Sequence, residues 1–292
     1  MNPVKCPQCQ GTQVVKRGLS PTQKRGQQQR YLCKGCKRTF IPDAGFWKMK
    51  HTDAIVTMSI DMYLSNLSSR KMRNQLRRHF DLPISHVSIL DWVRKYVLVV
   101  QKYVNRFKPQ MGGQYYADET EIRCGPERHR FWVTVDWPTR FIPTIHYSLT
   151  GNIKEAHDFL SKMRLHALPK YVQTDAAQFY PWAFTKVFPP GCGVEHRINN
   201  VALTKKHNVR IETVFAKIKD RVIDFRGLKA LWSAPILLAG IILQHNYIEA
   251  HTTTHRIPCE SVNLSPNIGS NRWHGLIRTS AAVKNFSFFA IL

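Results

Sequence analysis

Three carboxylates, Asp118, Asp175 and Glu212, stand where acids look out of place. The chain carries 43 Lys and Arg against 19 Asp and Glu, so acids are scarce. Asp118 interrupts an apolar, strand-like run from Tyr115 to Ile122. Asp175 ends a second such run, Tyr171 to Asp175, and Glu212 lies on a long amphipathic helix among Arg and Lys. Bare carboxylates do not help a basic chain to hold nucleic-acid phosphate unless a cation comes between. Mg²⁺ (or Mn²⁺), which prefers oxygen ligands, is the expected intermediary. Carboxylates gathered from separate elements around two such ions make a phosphoryl-transfer site. Taken singly, each acid has a bland reading: a solvated helix glutamate, a strand-edge acid in an ion pair, a turn or helix cap.

A second set of residues has metal-ligand spacing. Cys6-Pro7-Gln8-Cys9 and Cys33-Lys34-Gly35-Cys36 are two C-x₂-C knuckles with 23 residues between them. Two knuckles supply the four thiolates of a closed, structural Zn²⁺ site. A module of this size (residues 1–45) buries too little surface to fold alone, so metal is expected to supply folding energy. Short strands are expected at Thr12–Lys16 and Arg30–Cys33. The loop between the knuckles holds Lys16, Arg17, Lys24, Arg25 and Arg30, placed to meet a phosphate backbone. Cys124, Cys192 and Cys259 lack partners at ligand spacing and read as ordinary thiols.

The elements that position these residues follow from periodicity. Residues 50–105 read as three helices. The first spans Thr52–Leu64. The second starts at a Ser68 or Ser69 cap and runs to about Phe80, with Met72, Leu76 and Phe80 on one face. Its other face carries Arg70, Lys71, Arg73, Arg77 and Arg78. Ser85 caps the third, His86 to about Val100, with Val87, Leu90, Val93 and Val97 inward. This is a helix-turn-helix layout, in which Ser85, His86, Ser88 and Asp91 would meet base edges. Trp92 and Tyr96 read as core.

Residues 112–255 change character. Three strands (Tyr115–Ile122, Arg130–Asp136, Phe141–Leu149) with turns near Gly125-Pro126 and Pro138-Thr139 fit antiparallel neighbours. A helix (Lys154–Arg164), a strand (Tyr171–Thr174), a helix (Tyr180–Phe188), a weak strand near Val194 and a long helix (Asn208–Phe225) follow. The expected fold class is multidomain α/β, ending in a mixed sheet flanked by helices. The long helix buries Ile211, Val214, Phe215, Ile218, Val222 and Phe225. Glu212 lies at the edge of that stripe, and Lys219 lies two turns on along the same face, placed to hold DNA. Glu119 and Glu121 alternate away from Asp118, and Asp136 reads as a turn residue.

Composition bounds the partners. Residues 1–110 hold 21 Lys and Arg against 5 Asp and Glu, a net of +16; residues 111–292 hold 22 against 14, a net of +8. A basic front half favours a polyanion through counterion release. The longest apolar stretch, Pro235 to Leu243, is far short of a membrane span. No apolar leader is read at the N-terminus, and an odd count of seven cysteines fits a reducing compartment. The expected location is cytoplasmic and nucleoid-associated.

In order along the chain, the motifs resemble an insertion-sequence DDE transposase of the IS-Six-like type, over about residues 1–262. The resemblance rests on the two knuckles, Leu67-Ser68-Ser69-Arg70-Lys71, Ile84-Ser85-His86-Val87, Trp92-Val93-Arg94-Lys95-Tyr96 and Ala117-Asp118-Glu119-Thr120. It continues in Val135-Asp136-Trp137-Pro138-Thr139-Arg140, Thr174-Asp175, His207-Asn208 through Ile211-Glu212, Arg221 with Phe225-Arg226-Gly227-Leu228, and His245-Asn246-Tyr247-Ile248 with His251. It implies an RNase H-like catalytic fold. It implies that Asp118, Asp175 and Glu212 are the metal-binding triad. It also implies a homodimer or larger synaptic complex holding terminal inverted repeats and target DNA. The chain departs from the family pattern at Ala176 and Thr213, and residues 262–292 match no part of it. Two other classes stay open: an inert, domesticated DNA-binding protein, and an RNase H-like nuclease that cleaves without joining.

Overall fold

The computed structural model describes residues 4–6, 8–9, 11–22, 26–42, 45–46, 49–200, 209–225, 227–264, 266 and 268–282. Lys24 and Arg25 of the ribbon loop, His207, Asn208 and Arg226 of the family-like motifs, and residues 283–292 lie outside them. The chain divides into two compact units, residues 1–60 with 267–292, and residues 61–266.

The first unit opens with an antiparallel sheet in the order β1 (Val14–Thr22), β2 (Gly26–Cys33), β3 (Thr39–Phe40). The first strand starts two residues later and runs further than the pattern Thr12–Lys16 implied, because β1 and β2 pair along nearly their whole lengths. Helix α1 (Asp53–Leu64) begins in this unit. The segment after Val262, which resembled nothing, carries a helix, Arg272–Ala282. Its Trp273, Leu276 and Ile277 are buried. His274 Nε2 lies 2.9 Å from an Asp53 carboxylate oxygen, its ring stacks on Phe46, and Asn271 donates to Thr57 Oγ1.

The second unit contains α2 (Ser69–Phe80) and α3 (His86–Val104). Ser68 and Ser85 cap them, accepting from the backbone N–H of Lys71 and Ser88. Asp81 closes α2 in the left-handed conformation (φ 49°). Two expectations are corrected here. Phe80 is 54% exposed, because α2 ends at it and the chain turns away. Val87 is 51% exposed, because Ile89, Trp92, Val93, Tyr96, Val97 and Val100 form the buried stripe of α3 instead. Helix α3 also runs four residues past Val100.

A five-stranded sheet follows, in the order β6 (Phe141–Ser148), β5 (Glu127–Asp136), β4 (Gln114–Cys124), β7 (Tyr171–Asp175), β8 (Glu195–Asn199). The first three strands are antiparallel hairpin neighbours, and β7 and β8 join parallel to β4. The result is a mixed sheet with helices on both faces, as the sequence led us to expect. One face packs on α4 (Ile153–His166) and α5 (Phe179–Val187), around Tyr115, Ala117, Trp132, Phe159, Val172 and Tyr180. Helix α6 (Val209–Asp224) borders β4, and α7 (Ala234–Leu243) packs on α3. Gly240 permits that approach: a Cβ there would lie 2.9 Å from Val97 Cγ2 and 3.0 Å from Leu64 Cδ2. Helix α7 is apolar all round because it is buried. It runs on into a π-helical turn, Gln244–Ile248. No helix among the described residues is long and apolar enough to cross a membrane.

Candidate active site

Strand alternation places the first two carboxylates. In the parallel pair, Tyr116 lies opposite Gln173. Asp118 is two residues beyond Tyr116, and Asp175 two beyond Gln173. Both therefore point to the same face of the sheet, at the same height, on adjacent strands. Asp175 is the last residue of β7, so the pair sits at the carboxyl edge of a parallel strand, the usual place for ligands in such sheets. Asp118 Oδ1 accepts the Glu119 N–H at 2.8 Å, and Asp175 Oδ1 accepts the Ala177 N–H at 3.0 Å.

The third carboxylate arrives on α6. Arg210, in its first turn, donates to Tyr116 Oη and lies over the Tyr116 and Trp137 rings, each at 4.8 Å. Tyr116 faces the same side as Asp118, so this clamp fixes the start of α6 above the carboxylate face. Glu212 is exposed in the next part of that turn. The three acids share one electrostatic field. Burial, then the negative charges of Glu119, Asp175 and Glu212, push the Asp118 carboxyl up to about 8. Lys219 is exposed further along the same helix.

Glu119 is on the opposite strand face, as alternation requires, yet it is not inert. It accepts from Tyr180 Oη at 2.8 Å, is raised by burial, and contributes the strongest charge on Asp118. Asp136 is corrected outright. It is no turn residue but the buried end of β5. Its carboxylate accepts the N–H groups of Gly112, Gly113 and Gln114 at 2.9, 2.9 and 3.3 Å, and the Thr139 hydroxyl. It thus pins the first residues of β4, upstream of Asp118. A lone acid closing an apolar strand was the only signal in the sequence, and the partners that explain it lie over twenty residues away.

The four thiols of the first unit also come together. Cys6, Cys9, Cys33 and Cys36 hold their sulfurs within 4.8 Å of one another, with Cys6–Cys36 and Cys9–Cys33 at 3.5 Å. A tetrahedral zinc with bonds of about 2.3 Å sets its sulfurs roughly 3.8 Å apart, so the donor set and spacing fit Zn²⁺. The Cys36 backbone N–H, donated to the Cys33 sulfur, brings that thiol down to about 7. Among the described residues this is the one such cluster of possible metal-binding atoms.

The basic residues Arg70, Lys71, Arg73, Arg77 and Arg78 are all exposed on α2. Ser85 and Ser88, at the start of α3, hydrogen-bond each other through their hydroxyls at 2.9 Å, and His86 is half-buried.

Residues 113–251, which contain all three carboxylates, match a family model described as a DDE domain, of the IS240 transposase type. Over this stretch the chain is similar to that family's DDE domain. No curated protein sequence matches the chain. Among solved structures, the chain is similar to the catalytic core of HTLV-2 integrase in complex with magnesium. The trimeric form is 12% identical over 52% of this chain and 97% of that one (TM-score 0.36). The dimeric form is 13% identical over 54% and 98% (TM-score 0.38). A chain of a simian T-cell lymphotropic virus intasome, in complex with a PP2A regulatory subunit, is 16% identical over 56% of this chain (TM-score 0.42). The present chain spans 58% of that chain's length.

Proposed function

We propose that the protein is a DNA transposase that cleaves at the ends of a mobile element and joins the freed 3′-OH to target DNA. The observation that carries this reading is the β4–β7 register, which sets Asp118 beside Asp175, with Glu212 near enough to raise Asp118. Asp118 and Asp175 would share two Mg²⁺ (or Mn²⁺) ions, with Glu212 completing the second site. Hard oxygen donors whose negative charges together raise Asp118 suit that cation class. Bound there, the ions supply nucleophile activation and charge neutralisation at the leaving oxygen.

The chain's own residues do the rest. Arg210 and Tyr116 fix α6 so that Glu212 stays over the sheet. Asp136 holds the start of β4. Lys219 holds a DNA phosphate beside the carboxylates. The reaction is hydrolysis of one phosphodiester, then transesterification by the liberated hydroxyl, with no covalent bond to the protein. Residues 112–255 form the catalytic domain in this reading. Residues 50–105 are the DNA-reading helix-turn-helix. Arg70, Lys71, Arg73, Arg77 and Arg78 take backbone phosphate, and Ser85, His86 and Ser88 approach base edges. Residues 1–45 form a ribbon closed by Zn²⁺ on Cys6, Cys9, Cys33 and Cys36. Two element ends must be held together, so the active species is a dimer or larger assembly.

The test is strand transfer with Mg²⁺ and a labelled duplex carrying the element's own ends, with Asp175→Asn beside the wild type. Joined product from the wild type alone supports the reading. Cleavage without joining makes the protein a nuclease. End-specific binding with no chemistry in either makes it a DNA-binding relic.

A further inference from the structure

A cavity of about 280 Å³ lies within the second unit, between α6, α7 and the start of β6. Its floor is apolar, built from Val214, Ile218, Ile241 and Ile242. Its rim is cationic, with Arg140, Lys217 and Arg221, and includes Thr213, the neighbour of Glu212 in the chain. The acid lining it, Glu249, is already engaged by Arg221 at 2.6 Å. Lys217 has no ion-pair partner among the described residues.

Arg140 is the informative member. Its Nε and Nη1 are buried without a hydrogen-bond partner among the described residues, so its charge is not compensated there. Its guanidinium carbon lies over the Trp137 ring, 3.2 Å from the centroid. Its backbone takes a positive φ of 62°, held by its N–H on the Asp136 carbonyl and by His245 Nε2 on its own carbonyl. A bulky residue held in that conformation is strained, and strain held in place by neighbours marks a site. His245 is kept neutral by burial, with further lowering from Lys217, His251 and Arg221. The positive charge of the rim is therefore carried by the Arg and Lys side chains.

The chemistry selects the ligand. Cations with unmet donors ask for an anion, and planar guanidinium suits phosphate. A bare phosphate would leave the apolar floor unused. A duplex cannot enter a cavity slightly below the ordinary range for small-molecule pockets, about 300–1,000 Å³. A single nucleotide turned out of the stack uses both surfaces. We infer that this pocket receives one nucleotide displaced from the DNA, its phosphate on Arg140 and Lys217 and its base on the isoleucine floor. The inference rests on DNA being the substrate, as proposed above.

The test compares two short duplexes without added magnesium. One is fully paired and contains 2-aminopurine; the other carries the 2-aminopurine as a single unpaired bulge. Wild type should bind the bulged duplex about tenfold more tightly, with a change in 2-aminopurine emission. Ile241→Phe, which fills the floor, should erase the preference while leaving paired-duplex binding intact. Should Ile241→Phe lose both, Lys217→Ala, an exposed position, decides: it must reduce the preference severalfold. Equal affinity for the two duplexes in wild type, or a preference unchanged in the folded variants, overturns the inference. Strand transfer by a protein without the preference would sink the pocket and leave the transposase standing. The preference without any joining would do the reverse.

Discussion

At the scale of single residues, the second unit concentrates cost in a few buried polar groups. Asp136 accepts from three backbone N–H groups and a hydroxyl inside the fold. Asp136→Ala strands those donors, and urea unfolding should show a loss of about 3 kcal/mol. Asp136→Asn, which keeps one oxygen, should lose less. His245 gives a pH signature. Burial lowers it to about 4 from an ordinary 6.5. Its neutral form stabilises the fold above 6.5, and that contribution disappears as pH falls toward 4, where the unfolded chain takes up a proton first. The Tm of wild type should therefore fall more steeply over this window than that of His245→Gln, which keeps a donor to the Arg140 carbonyl. Parallel Tm curves for the two would refute the assignment. Asp118 and Asp175 were legible from sequence as acids within apolar runs. Asp136 was not, since its value comes from Gly112 to Gln114, remote in the chain.

At the scale of elements, α7 shows how close packing sets a residue's identity. A methyl group on Gly240 meets the ends of Val97 and Leu64 at about 3 Å. Alanine gains roughly 0.5–1 kcal/mol in helix propensity but overpacks at a cost of about 1–3. Gly240→Ala should therefore be destabilising by about 1 kcal/mol in chemical denaturation, and an increase in stability would show that the helices part readily. The ribbon makes a separate prediction. Its three strands have a small core, and in the reading proposed above Zn²⁺ on the four cysteines would supply the missing folding energy. Chelation, or Cys33→Ser, should abolish zinc content and expose residues 14–40 to proteolysis; a ribbon that stays protected without metal would contradict this. Helix and strand starts followed closely from caps and alternation, as Ser68 and Ser85 show. The inward faces of α2 and α3 did not: Phe80 and Val87 are apolar and periodic, but no partner element reaches them.

At the scale of the whole molecule, charge sets the partner. The net of +24 is concentrated in the first 110 residues, and α2 exposes five cations on one helix. Replacing Arg73, Arg77 and Arg78 by Ala should weaken DNA binding uniformly across sequences. It should also lower the slope of log K against log salt by up to about 3, one for each phosphate left without its cation. An unchanged slope would move the phosphate interface elsewhere. The tail segment is the other lesson at this scale. The segment after Val262 reads as unplaced, yet Trp273, Leu276 and Ile277 are buried and His274 meets Asp53, over two hundred residues away.

The sequence by itself determined the charge, the thiol knuckles, the order of helices and strands, and the scarcity that makes three acids conspicuous. These are local properties, written in composition, spacing and periodicities of 2.0 and 3.6 residues. Tertiary structure alone decided that Asp118 and Asp175 stand side by side, because parallel pairing of β4 with β7 is a long-range choice of register, and a slip of one residue would turn Asp175 to the other face. It alone decided that Arg140 ends with unmet donors beside Lys217, since their approach needs α6 docked by Arg210 on Tyr116. Contacts between distant segments obey shape and burial across the fold, which no window along the chain contains.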